Sequence, residues 1–117
     1  MAVKIAAMVL RVIFIINVIL GILFVFTTLG GGWTLLHMVL GLLFVAALWF
    51  LGAAQAMKGG PLGLMLGTFA VGLLLAIVGL TQDSTAWLQV IHVLLALSAI
   101  GLGEMSGARY RKLSAAA

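Results

Sequence analysis

The sequence predicts an all-α membrane protein: an up-down four-transmembrane-helix bundle with both termini cytoplasmic. Composition is the first observation behind this. Of 117 residues, 66% are hydrophobic and 7% charged, with a mean hydropathy of +1.41, whereas a soluble domain carries about a quarter charged residues. A second is punctuation: glycine, proline and short polar runs divide the chain into four apolar stretches, each near the ~20 residues a spanning helix needs. Third, no stretch shows the strict alternation of a membrane β-strand. The length fits a single domain, 1–117.

The first stretch covers 12–29, behind a short arm carrying Lys4 and Arg11. Its apolar run is longer than a signal-peptide core and no small-x-small site precedes the following glycines, so it is expected to be retained. The turn Gly30-Gly31-Gly32 leads to the second stretch, 34–54. Lys58-Gly59-Gly60-Pro61 follows, where glycine ends one helix and proline starts the next. The third stretch, 62–80, runs into Thr81-Gln82-Asp83-Ser84-Thr85, with Asp83 or Ser84 as the expected N-cap of the fourth, 86–104. A basic tail, Arg109-Tyr110-Arg111-Lys112, closes the pattern and reads as an anchor facing anionic lipid.

The charges give the orientation. Lys4 and Arg11 precede the first helix, Lys58 lies in the middle loop, and Arg109, Arg111 and Lys112 follow the fourth, whereas the other two loops hold no basic residue. All six positive charges then fall on one side, which the positive-inside rule makes cytoplasmic. A prokaryotic cytoplasmic membrane is the expected location. The pI near 10.4 reflects these topology signals, and no nucleic-acid partner is expected. The partners expected are the lipid bilayer and either further copies of the chain or a membrane complex. With no cysteine, disulfides, thiolate metal sites, iron–sulfur clusters and covalent haem attachment are excluded. Short loops make successive helices antiparallel neighbours. The pairs Gly63/Gly67 and Gly103/Gly107 have the spacing that lets helix backbones approach.

The two halves resemble each other. FVFTTLGGGWTLLHMVLGLL in the first and AIVGLTQDSTAWLQVIHVLLAL in the second each lead from an outer loop to a tryptophan and then a histidine, Trp33 and His37 or Trp87 and His92. Ionisable groups inside a membrane are costly and are functional candidates by default. No carboxylate falls within the first three stretches, and Glu104 and Asp83 read as solvated charges at helix ends. The histidines remain. With the tryptophans at the outer interface, His37 lies ~6 Å and His92 ~7.5 Å below it. The two helices run in the same direction, so the imidazoles can face each other. Below His37 come Gly41, Phe44 and Leu48; below His92 come Ala96, Ala99 and Gly103. Small residues beneath each histidine are expected to clear space for a flat, wide group. A haem held by two axial histidines needs that arrangement, whereas zinc usually takes three or four protein ligands. The second nitrogen of each ring is expected to donate to a carbonyl one turn back, at Trp33 or Leu88. Asn17, Thr68 and Ser98, mid-helix, are expected to bond between helices.

The segments His37-Met38-Val39-Leu40-Gly41-Leu42-Leu43 and His92-Val93-Leu94-Leu95-Ala96-Leu97 resemble the histidine-then-small, leucine-rich segments of haem A synthases. The resemblance covers the topology and these two short motifs. It implies a four-helix bundle with haem-ligating histidines on its second and fourth helices near the outer face, here His37 and His92. The catalytic half of that family has an acid shortly before its first histidine and commonly cysteines in the outer loop. This chain has Trp33-Thr34-Leu35-Leu36 before His37 and no cysteine, so it resembles the half that only holds a haem. The expectation is therefore a non-enzymatic b-type cytochrome in electron transfer. Its haem b has His37 and His92 as axial iron ligands, with Trp33, Gly41, Phe44, Ala96 and Ala99 around it. The alternatives are a structural or assembly subunit of a larger or homo-oligomeric membrane complex, and chlorophyll-type pigment binding. A small multidrug transporter would need an acid in the first helix, and 12–29 holds none, only Asn17.

Overall fold

A computed structural model describes residues 1–81 and 85–116. The expected N-cap at Asp83 or Ser84 lies outside the described residues. Four helices account for nearly all of them: α1 (Ala2–Phe26), α2 (Gly32–Met57), α3 (Leu62–Leu80) and α4 (Ala86–Ala116). All four are long and apolar enough to cross a membrane, the architecture of an integral membrane protein. Among the described residues there is no strand.

Three helices depart from the expected bounds, α1 and α2 by two or three residues where they meet their turns, and α1 and α4 by ten or more at their outer ends. The arm with Lys4 and Arg11 belongs to α1, and the basic tail belongs to α4. Charge ends the stretch that is soluble in hydrocarbon without ending the helix, because alanine, leucine, methionine, lysine and arginine are all good helix formers. The 25 residues of α1 and the 31 of α4 extend ~37 and ~46 Å, against a hydrocarbon layer of ~30 Å.

The α2–α3 turn follows from its glycines. Gly59 has φ 87°, a left-handed conformation that is inexpensive only for glycine. Its N–H donates to the Ala56 carbonyl (2.9 Å) and the Gly60 N–H to the Gln55 carbonyl (2.9 Å), which is the Schellman closure. Pro61 then fixes the entry to α3. The buried Gln55 adds a side-chain tie, its Nε2 donating to the carbonyls of Gly52 (3.1 Å) and Pro61 (3.0 Å).

Inter-helix contacts set the register. Phe14 meets Phe44 and Phe24 meets His37 across α1–α2. Gly52 lies against Thr68 and Gly72 against Trp49 across α2–α3. Gly67 faces Leu102 and Gly79 faces His92 across α3–α4. In each pair one residue number rises as the other falls, so neighbours are antiparallel. Across α2–α4 the numbers rise together: His37 with His92, and Leu48 with Gly103, both offset by 55. Helices α2 and α4 each touch all the others, while α1 and α3 lie on opposite sides without packing on one another. The bundle is flattened, 51 × 24 × 16 Å.

The core runs between α1, α2 and α4 through Leu10, Leu48, Leu51 and Ala99, all fully buried. Gly103 admits Leu10 and Leu48 to this layer; a Cβ there would collide with Leu10. Gly63, by contrast, has open space where a Cβ would stand. The Gly63/Gly67 spacing therefore does not mark a close approach within the bundle. Asn17 does bond between helices, donating from Nδ2 to the His37 carbonyl at 3.3 Å. Thr68 and Ser98 instead donate to carbonyls of their own helices, Met65 and Leu94. A hydroxyl on so short a stem reaches the preceding turn more easily than a neighbouring helix.

Candidate site: a histidine pair between α2 and α4

His37 and His92 come together across the α2–α4 contact, ring centres 6.2 Å apart and planes inclined at 50°. The backbone explains the meeting. His37 and Leu48 are eleven residues apart on α2, and so are His92 and Gly103 on α4. Eleven residues is close to three full turns. The faces that pack Leu48 against Gly103 in the core therefore point the two imidazoles at each other ~16 Å further along.

Both rings are half-buried. Phe24 of α1 and His37 meet in a T-shaped pair, with centres 5.5 Å apart and planes at 89°. Gly79 of α3 backs His92, where a Cβ would come within 3.1 Å of the ring's Cε1, so glycine lets the imidazole lie on the α3 backbone. Asn17 completes the cluster from α1. The Nδ1 atoms of both histidines and Oδ1 of Asn17 are buried and have no hydrogen-bond partner among the described residues. Neither Nδ1 makes the expected bond to Trp33 or Leu88. Those carbonyls serve the ladders of their own helices, and the rings turn to each other.

The remaining expected site residues are dispersed. Phe44 is buried against Phe14 with ring centres 6.2 Å apart, and Ala99 is fully buried; both belong to the core below the pair. Ala96 packs against that core from a partly buried position. Gly41 faces α1, where its missing Cβ would stand 3.7 Å from Asn17 Nδ2, so Asn17 takes up the room the glycine leaves. Trp33 is 52% exposed at the end of the bundle nearest the pair.

Sequence reasoning missed Phe24 and Gly79. Antiparallel neighbours bring the ends of α1 and α3 beside the starts of α2 and α4, which locates the stretch but not the residue: counting outward from the turn centres pairs neither with its histidine. Sequence reasoning also missed an ion pair near the other end: Arg11 Nε and Nη2 donate to the two carboxylate oxygens of Glu104 at 2.6 and 2.8 Å. Glu104 is well inside α4 rather than at its end, twelve residues beyond His92, ~18 Å along the helix.

The two rings stand close enough that, with a metal ion between them, both could serve as its ligands. A ring bound through Nε2 keeps a donor at Nδ1, which needs an acceptor, and Asn17 Oδ1 is an unpaired acceptor in the same cluster. Among the described residues no three His, Cys, Asp or Glu side chains converge. No protein-family model, no curated protein and no solved structure matches this chain.

Proposed function

We propose that this chain is a small haem-binding membrane protein, a b-type cytochrome with His37 and His92 as axial ligands, acting in electron transfer. The observation that carries the reading is the meeting of the only two histidines, ring centres 6.2 Å apart, on parallel helices. Bound there, haem would supply a one-electron couple, and two axial histidines favour electron transfer over oxygen chemistry. The chain's own part is orientation and burial. Phe24 and Gly79 hold the rings from either side, and the Asn17 bond to the His37 carbonyl fixes α1 against α2 at that level. The six basic residues gather toward the end away from the histidines, and the positive-inside rule makes that end cytoplasmic.

Visible spectra of the purified protein, air-oxidised and dithionite-reduced, test the reading, with His37→Ala and His92→Ala beside the parent chain. A Soret band that sharpens and shifts on reduction, and is lost in either variant, is expected. Far-red absorption would replace haem by a chlorophyll-type pigment. A colourless protein after expression with ample haem would overturn the cofactor and leave a structural subunit.

A further inference from the structure

At the end away from the histidines, a groove lies between the start of α3 and the last turns of α4. Leu64 lines it from α3; Met105, Ala108, Arg109 and Lys112 line it from α4. The α4 residues are spaced i, i+3, i+4 and i+7, a single helix face. That face changes character along its length: Met105 and Ala108 are apolar, and the two cations stand together beyond them. Arg109 and Lys112 form no ion pair among the described residues, and Glu104 is already held by Nε and Nη2 of Arg11. Of the neighbouring cations, Lys58 lies near the Tyr110 ring, 6.0 Å from its centre, and Arg111 lies beside the Gly107 position. Arg109 and Lys112, which line the groove, carry charge without an ion-pair partner among the described residues.

Depth decides what fits. From Trp87, near the histidine end, Arg109 is 22 residues along α4, or ~33 Å, just over one hydrocarbon thickness. Met105 is ~6 Å short of it, within the apolar layer. The groove therefore passes from hydrocarbon to headgroup level as its lining passes from apolar to cationic. We propose that it binds one anionic phospholipid, with an acyl chain along Leu64, Met105 and Ala108 and the phosphate between Arg109 and Lys112. Basic recesses between membrane helices at headgroup level bind such lipids. This inference rests on the spanning orientation of the helices and is independent of any cofactor.

The test is lipid titration of the full chain in dodecyl maltoside, read by native mass spectrometry. Phosphatidylglycerol, phosphatidylcholine and glycerol phosphate are the probes. One phosphatidylglycerol is expected to bind in preference to phosphatidylcholine, and glycerol phosphate is expected not to bind. The Arg109→Gln/Lys112→Gln double variant should weaken phosphatidylglycerol on the order of tenfold or more. Ala108→Phe should weaken it comparably by filling the groove while keeping both charges, and Lys4→Gln should bind as the parent does. Helical circular dichroism equal to the parent's establishes that each variant is folded. Equal binding of the two phospholipids, parental affinity in the double variant, or an equal loss in Lys4→Gln would overturn the proposal.

Discussion

Glycine acts in two physically different ways in this chain, and substitutions separate them. A Cβ on Gly52 would collide with the Oγ1 of Thr68 and stand 3.1 Å from its Cβ, and Thr68 is fully buried. That neighbour is β-branched and stiff, so it cannot swing aside. Gly21 has nothing within 4 Å of its Cβ position. Gly52→Leu should therefore destabilise the bundle by about 1–3 kcal/mol, the usual range for overpacking. Gly21→Leu should stay within about 0.5 kcal/mol of the parent. Unfolding by titration with sodium dodecyl sulfate in mixed micelles measures both; equal losses would contradict the packing described here. At this scale the sequence was legible where rarity spoke and silent where volume decided. Two histidines in an apolar chain can be placed by counting from their tryptophans. That Asn17 takes up the room beside Gly41 depends on which residue a separate helix brings opposite, which no local pattern contains.

Helix ends obey a different logic. Glycine and proline punctuation located the α2–α3 turn because a left-handed glycine and a fixed proline are backbone requirements. The start of α1 and the end of α4 escaped, since hydropathy locates the apolar part of a helix and neither polar extension contains a breaker strong enough to end it. Gln55 was also unread; nothing in its neighbourhood shows that its amide ties the turn shut. Its Nε2 gives the Gly52 and Pro61 carbonyls an additional donor each, and a typical hydrogen bond contributes about 0.5–1.5 kcal/mol net. Gln55→Leu keeps the apolar burial and removes both bonds. The turn should open more often, so trypsin should cut after Lys58 several-fold faster in the variant, measured in detergent by fragment appearance. An unchanged rate would show that the Schellman closure holds the turn unaided.

For the whole molecule, the order of the helices and their antiparallel neighbours could be read from four apolar stretches joined by short turns. The flattening could not: it comes from α2 and α4 meeting along a diagonal while α1 and α3 stay apart. Orientation is open to a direct test, because the chain has no cysteine. Thr28→Cys places a thiol in the α1–α2 turn, Lys58→Cys in the α2–α3 turn and Ala115→Cys near the end of α4, all at exposed positions. In intact spheroplasts, a membrane-impermeant maleimide should label Thr28→Cys alone; the other two should react only after permeabilisation. The reverse pattern would invert the bundle and move the histidine pair to the cytoplasmic side.

The Arg11–Glu104 pair joins residues 93 apart in the chain, and translation gives that separation a duration. At 5–20 residues per second, roughly 5 to 19 s pass between the synthesis of the arginine and that of the carboxylate it will hold. Through that interval α1 is inserted and α2 and α3 follow it, all with the guanidinium unmatched by its eventual partner. The last helix thus brings the counter-charge of the first. Whatever keeps Arg11 at its depth while the chain is being made, it is not Glu104.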